Sequence, residues 1–89
     1  MNVGRLVDLI RIVARRQPEA PAIEFEGRTQ TYRETWEAAL RLANGLRQSG
    51  LQAGDPVGIL AGNSPAYLET YLACQLAGLV AVPLNYRSV

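Results

Sequence analysis

The chain has 89 residues, 48% hydrophobic, 19% charged and 7% aromatic, which is globular composition, excludes disordered and fibrous classes, and is too short for a whole α/β enzyme. Nine arginines against eight carboxylates give a formal net charge of +1, so there is no basic field for nucleic acid. The sequence contains no His and no Lys, which removes imidazole ligands and bases, a Walker-type lysine and a Schiff base, and its single Cys excludes an internal disulfide and a Cys-only metal site.

The first element is a helix set by period: Leu6, Leu9, Ile10 and Val13 follow the i, i+3, i+4, i+7 rule, with Arg5, Asp8, Arg11, Arg15 and Arg16 largely off that stripe. It should stop before Pro18, which lacks a backbone donor and restricts Gln17. The interspersed arginines break any signal-peptide h-region. Asp8 interrupts the basic face and no Trp or Phe anchors it, so packing on a protein core is favoured over a membrane surface. Ala22-Ile23-Glu24-Phe25-Glu26 then alternates apolar and acidic residues as a half-exposed strand. Gly27 supplies the turn and Arg28-Thr29-Gln30-Thr31 the return strand.

Thr31-Tyr32-Arg33-Glu34 is a capping box opening a second helix, with Trp36, Ala39, Leu40, Ala43 and Leu46 on its apolar face and Gly50 beyond its end. Glu37 and Arg41 sit four apart in the favourable order, worth roughly 0.2–0.5 kcal/mol. After the turn Gly54-Asp55-Pro56, the run Val57-Gly58-Ile59-Leu60 reads as a strand buried on both faces. Gly62-Asn63-Ser64-Pro65 opens a third helix over 66–77, with Ser64 at the N-cap and Pro65 at N1. Leu68, Tyr71, Leu72, Cys74 and Leu76 surround most of that helix and only Glu69 is charged, so it should be largely enclosed. Gly78 ends it, and Leu79-Val80-Ala81-Val82, closed by Pro83, is a second buried strand. Strand, helix, strand over 57–82 is a βαβ unit with parallel strands and a right-handed crossover, which gives an α/β fold with an incomplete sheet. The longest uncharged stretch, Thr70 to Tyr86, is 17 residues, contains Gly78, Pro83 and Asn85, and is short for a membrane span; a cytoplasmic protein is expected.

Four features invite a chemical reading, and each has a plainer one. Backbone amides at Gly62-Asn63-Ser64 could take an anion, but the glycine spacing of a dinucleotide fingerprint and the GxxxxGK[ST] loop are both absent, so a plain βα turn with a cap is favoured. Cys74 lies in an apolar helix with no basic neighbour in sequence and reads as a buried small hydrophobe rather than a nucleophile. Glu24 and Glu26 share a strand face; an exposed alternation is favoured over acid–base work. Trp36 falls on an apolar stripe and reads as packing rather than ligand stacking.

The ordered series Pro21-Ala22-Ile23, Thr31-Tyr32-Arg33-Glu34, Leu42-Ala43-Asn44-Gly45-Leu46, Gly50-Leu51-Gln52-Ala53-Gly54-Asp55-Pro56-Val57, Gly62-Asn63-Ser64-Pro65 and Ala77-Gly78-Leu79-Val80-Ala81-Val82-Pro83-Leu84-Asn85 resembles the opening of AMP-forming acyl-CoA synthetases, adenylate-forming ligases, over about residues 6–87. The ending Pro83-Leu84-Asn85-Tyr86-Arg87 resembles the Pro-Leu-Asn-x-Arg of many fatty-acid and aromatic-acid CoA ligases; amino-acid-adenylating domains more often place Asp-Pro after Pro-Leu.

The resemblance implies that residues 1–89 are an N-terminal fragment of an AMP-binding domain, with a β-hairpin, three helices and a parallel βαβ unit. It implies a reaction in which ATP and a carboxylate give an acyl-adenylate and pyrophosphate, and coenzyme A then gives acyl-CoA and AMP. ATP, Mg²⁺ and coenzyme A are thus implied for the full-length family. The Ser/Thr/Gly-rich phosphate loop ending in Lys, the Tyr-Gly-x-Thr-Glu segment, the Thr-Gly-Asp segment and the C-terminal catalytic Lys are not in this sequence. No catalytic, cofactor-binding or metal-binding residue is therefore carried over, and the chain alone is expected to bind none of these cofactors and to be inactive. The expected partner is the remainder of the ligase domain, with neither nucleic acid nor a membrane span, and self-association through exposed apolar surface is expected without it. The alternatives are a small interaction or regulatory module derived from the family, and the N-terminal piece of an amino-acid-adenylating domain.

Overall fold

The computed structural model describes residues 5–60 and 64–84. The order is α1 (Leu6–Arg16), β1 (Pro21–Phe25), β2 (Arg28–Thr31), α2 (Tyr32–Gln48), β3 (Pro56–Leu60), α3 (Pro65–Ala77) and β4 (Val80–Leu84). β1 and β2 form an antiparallel pair and β3 and β4 a separate parallel pair, so the expected hairpin, three helices and parallel βαβ unit are all present. The readings at Gly62, Asn63 and Asn85 to Arg87 lie outside the described residues.

α3 is the centre of the packing. One side joins Val7, Ile10, Ala39 and Leu72, with Tyr32, Trp36, Leu68 and Leu76 against them. The other side joins Ile59, Cys74 and Leu79, with Val57, Tyr67, Tyr71 and Ala81 among their neighbours. Thr35, Ala39 and Ala43 form an i, i+4 row on α2 and are fully buried or nearly so; their small side chains leave room for α3 to approach. Trp36 packs on this core, as its place on the stripe implies.

The face of α1 differs from its expected stripe. Of that stripe Leu6 and Leu9 are 39% and 49% exposed and Ile10 is buried as expected, while Val7 and Asp8, which lie off it, are buried. Gln75 on α3 sets the rotation: its Oε1 accepts from the Val7 amide at 3.0 Å, and its carbonyl accepts from Arg5 Nη1 at 3.2 Å. Asp8 tolerates burial because Arg5 donates to both its carboxylate oxygens, at 3.0 and 3.1 Å, with Arg11 3.8 Å away. These Arg5 bonds hold the Asp8 carboxyl below the usual carboxylate range despite its burial.

The hairpin turn takes in Glu26 as well as Gly27, with φ of 52° and 77°. Positive φ at both central residues matches the twist of a two-residue hairpin, and Gly27 adopts it without steric cost. β1 therefore ends at Phe25, one residue earlier than its alternation suggests. α2 opens on the capping box: Thr31 Oγ1 accepts from the Glu34 amide at 3.1 Å, and Glu34 Oε1 accepts from the Thr31 amide at 2.8 Å. At its far end Arg47 Nη2 donates to the Leu76 carbonyl at 2.6 Å, which joins α2 to the end of α3.

Pro56 pairs in register with Val80, Gly58 with Val82 and Leu60 with Leu84. The Gly54 amide donates to the Gly78 carbonyl at 2.8 Å and the Val80 amide to the Asp55 carbonyl at 2.9 Å, tying the entrance of β3 to the exit of α3. β4 runs through Pro83 to Leu84 rather than closing at Pro83, because a strand with an open edge accommodates a residue lacking a donor. Among the described residues the pair is covered on one face only. Val57, Ile59 and Ala81 pack toward α3, while Val80, Val82 and Leu84 are 50%, 37% and 46% exposed. A continuous apolar run marks a strand that can be covered twice; among the described residues α3, with Leu46 of α2 and Leu51, packs on one face.

The capping box gives a test. Thr31→Ala removes the acceptor of the Glu34 amide and weakens the start of α2 by about 1 kcal/mol, which amide hydrogen exchange at Glu34 reads as a rate about fivefold faster. The bond from the Thr31 amide holds the Glu34 carboxyl below its ordinary range. A value lower in the folded chain than in the unfolded one means that this contribution is complete above the ordinary carboxylate range and is lost as pH falls through the lowered value. Acid titration of the α2 amide resonances shows that step, and Glu34→Gln abolishes it.

Candidate functional site

An open groove of about 860 Å³ lies between the hairpin and the helices. Ile23, Phe25, Arg28 and Gln30 line it from the hairpin, Glu34, Glu37 and Arg41 from α2, and Pro65 and Glu69 from α3. Strand alternation explains the hairpin side: Phe25 pairs with Arg28 and Ile23 with Gln30, so these four side chains share one face. At the groove, Gln30 Nε2 donates to Thr35 Oγ1 at 2.8 Å and to Glu69 Oε2 at 2.9 Å, and Thr35 Oγ1 donates to the Thr31 carbonyl at 2.9 Å. These bonds clasp β2, α2 and α3 together. Their polar groups are spent on one another, and no buried side-chain polar atom among the described residues lacks a partner.

Glu26, Glu34, Glu37 and Glu69 face this groove against Arg28 and Arg41. Carboxylates outnumber guanidiniums, so the field opposes a triphosphate or the phosphates of coenzyme A. Among the described residues no group of three His, Cys, Asp or Glu could hold a metal ion. The groove thus does not fit ATP, Mg²⁺ or coenzyme A, and no chemical step is assigned to it.

A smaller hollow of about 280 Å³ lies where β3 meets α3, lined by Gly58, Ile59, Ser64, Ala66, Tyr67 and Thr70. Ser64 stands at the N-cap of α3 with Pro65 at N1, as expected, but its side chain makes no capping bond. Cys74 is fully buried, and burial pushes its thiol up, away from a thiolate nucleophile. Glu24 points to solvent from β1 while Glu26 sits in the turn, so the two are not a carboxylate pair on one strand.

The Gln30–Thr35–Glu69 clasp and the buried Asp8 were not visible as chemistry in the sequence. Thr35 had one signal, its place in the i, i+4 row with Ala39 and Ala43; Gln30 and Glu69 are 39 positions apart and had none. No helix among the described residues is long and apolar enough to cross a membrane; the uncharged stretch from Thr70 divides into the end of α3, Gly78 and β4.

Comparison with known proteins places these elements in context. The family pattern described as AMP-binding enzyme matches residues 10–89. A feruloyl-CoA synthase from Amycolatopsis sp is 51% identical over 74 residues, 83% of this chain and 15% of that protein. The fatty acid–[acyl-carrier-protein] ligase ScoC from Streptomyces coeruleorubidus is 38% identical over 82 residues, 92% of this chain and 16% of that protein. The N-terminal subdomain of Klebsiella oxytoca NpsA superposes with a TM-score of 0.86 at 34% identity, covering 94% of this chain and 22% of that one. The chain therefore spans about 15% of the length of these relatives.

The buried thiol sets an expectation for its reactivity. In the folded chain Cys74 resists alkylation by iodoacetamide at neutral pH and reacts at the rate of a free thiol in denaturant, as mass spectrometry of the modified chain reads.

Proposed function

The chain belongs to the AMP-binding enzyme family, and from that premise we propose that residues 1–89 form the N-terminal part of an AMP-forming carboxylic acid–CoA ligase acting in the cytoplasm. The observation that carries the reading is the 51% identity with a feruloyl-CoA synthase, higher than the 38% with a fatty-acid ligase; it favours an aromatic acid of the feruloyl kind over a fatty acid. The whole enzyme would join the carboxylate oxygen to the α-phosphorus of ATP with loss of pyrophosphate. Coenzyme A sulfur would then take the acyl carbon, releasing AMP. Adenylation is needed because a carboxylate oxygen is a poor leaving group and AMP a good one. ATP, Mg²⁺ and coenzyme A belong to that whole enzyme.

Within it, residues 1–89 act as scaffold. No catalytic, cofactor-binding or metal-binding role is assigned to them. They hold neither a lysine nor a phosphate loop, and the two guanidiniums at the groove, Arg28 and Arg41, are outnumbered there by carboxylates. By themselves, they associate through the apolar face at Val80, Val82 and Leu84.

Sequence, activity and association measurements test this reading. The coding sequence beyond codon 89 is expected to encode a Ser/Thr/Gly-rich phosphate loop ending in Lys, and the longer polypeptide to catalyse ferulate-dependent exchange of pyrophosphate into ATP; the 89-residue chain stays at background. Exchange by the purified short chain, or unrelated sequence downstream, would overturn the proposal and favour an interaction module. The short chain is also expected to bind a hydrophobic dye, to scatter light above the level of a monomer and to melt broadly. A monodisperse monomer with a sharp thermal transition contradicts the proposed association.

A further inference from the structure

Two features of the sequence argue against a membrane surface for α1: Asp8 interrupts its arginines, and no Trp or Phe anchors it. The structure removes the first. The Asp8 side chain is drawn in to 9% exposure, takes Arg5 at both its oxygens and has Arg11 3.8 Å away. It answers the second with leucines. Val7 and Ile10 pack with Ala39 and Leu72, while Leu6 and Leu9 turn outward together with Arg11, Arg15 and Arg16. Leu6, Leu9, Val13 and Arg16 follow i, i+3, i+7, i+10, so they lie in one stripe along the helix, with Val13 half-buried. The segment 5–16 contains four arginines and one carboxylate. That carboxylate is taken by Arg5 and Arg11, and among the described residues neither Arg15 nor Arg16 is in an ion pair.

Exposed leucines set among uncompensated guanidiniums call for a partner that is apolar at one depth and anionic at the next. A bilayer surface is layered in that way: phosphates lie over acyl chains, and an arginine reaches the phosphates while its stem rests on apolar surface. A neutral apolar protein face would strip water from Arg16 without pairing it. We propose that α1 makes a peripheral contact with an anionic lipid bilayer: Leu6 and Leu9 enter the boundary between headgroups and acyl chains, and Arg15 and Arg16 meet lipid phosphates. Binding through so small a face is weak, reversible and dependent on anionic lipid, each arginine near such a surface strengthening it about fivefold. The helix lies on the bilayer and does not cross it, having 11 residues against the ~20 that a span needs. The apolar face at Val80, Val82 and Leu84 is a different surface; no position of β3 or β4 carries a charge, so it would take neutral and anionic lipid alike. The proposal does not depend on the ligase reading.

The test is flotation of the 89-residue chain with vesicles on a density gradient, which separates bound chain from any that has aggregated. The chain is expected to float with vesicles of equal parts phosphatidylcholine and phosphatidylglycerol, and not with phosphatidylcholine alone. Molar salt, where the Debye length falls to about 3 Å, should release it. The double variant Arg15→Gln, Arg16→Gln should bind the mixed vesicles about twentyfold more weakly, and Leu9→Gln about tenfold more weakly. Both change exposed side chains, so their helical circular dichroism should match the parent. Val80→Thr with Val82→Thr should float as the parent does. Flotation that is equal on neutral vesicles, or that the arginine variant keeps and the Val80, Val82 variant loses, assigns the binding to the β-strand face and overturns the proposal. Absence of flotation overturns it as well, and self-association that Leu9→Gln abolishes would then make α1 a contact between copies of the chain.

Discussion

The structure depends on α3 being covered from two sides. Its Leu72 meets α1 and α2, while its Cys74 meets β3 and the residue leading into β4. These side chains and Ala73 between them have no exposure at all. A helix that is apolar around most of its girth cannot sit at a surface, so the other elements are arranged to enclose it. The parallel pair covers one side because β3, α3 and β4 are consecutive, and the hairpin with its capping box delivers α2 to the other. Burying an element of this kind supplies the main driving force available to a chain of this size, where a smaller fraction of the surface is removed from water than in larger domains.

What the chain lacks chemically is as informative as what it contains. Acyl transfer through an adenylate asks for fixed cations beside phosphate and a loop of backbone donors. The groove offers an excess of carboxylates, and its amide and hydroxyl groups bond to one another. The clasp among Gln30, Thr35 and Glu69 holds a hairpin, a helix start and a second helix in fixed relation.

Most elements were legible because their signals are local. The capping box at Thr31 and Glu34, the stop before Pro18, Pro65 at N1 and Gly78 at the end of α3 depend on neighbours a few residues away, and each lies where it was expected. The rotation of α1 was not legible. The expected stripe Leu6, Leu9, Ile10 and Val13 competes with Val7, Ile10 and Ala14, which share Ile10 with it, and periodicity cannot choose between them; a hydrogen bond from the Val7 amide to Gln75, 68 residues away, does. The position of Glu26 was missed because alternation continues through it while the two-residue turn needs it. The burial of β3 and β4 was overread, since an apolar run states what a strand tolerates and not how many layers cover it. The groove was invisible because it exists only between elements.

The C-terminal end of α3 has its own electrostatic arrangement. Its last turn contains no basic residue, yet the aligned peptide dipoles concentrate negative charge there. The compensation comes from other helices: Arg5, from the start of α1, binds the Gln75 carbonyl, and Arg47, from the last turn of α2, binds the Leu76 carbonyl. Two guanidiniums thus converge on one helix terminus, and the polarity of α3 fixes which ends of α1 and α2 can lie beside it. Both contacts are exposed, and mobile ions screen exposed charges over a Debye length of about 8 Å at physiological ionic strength. Salt concentration is therefore a solution variable that loosens this corner of the molecule.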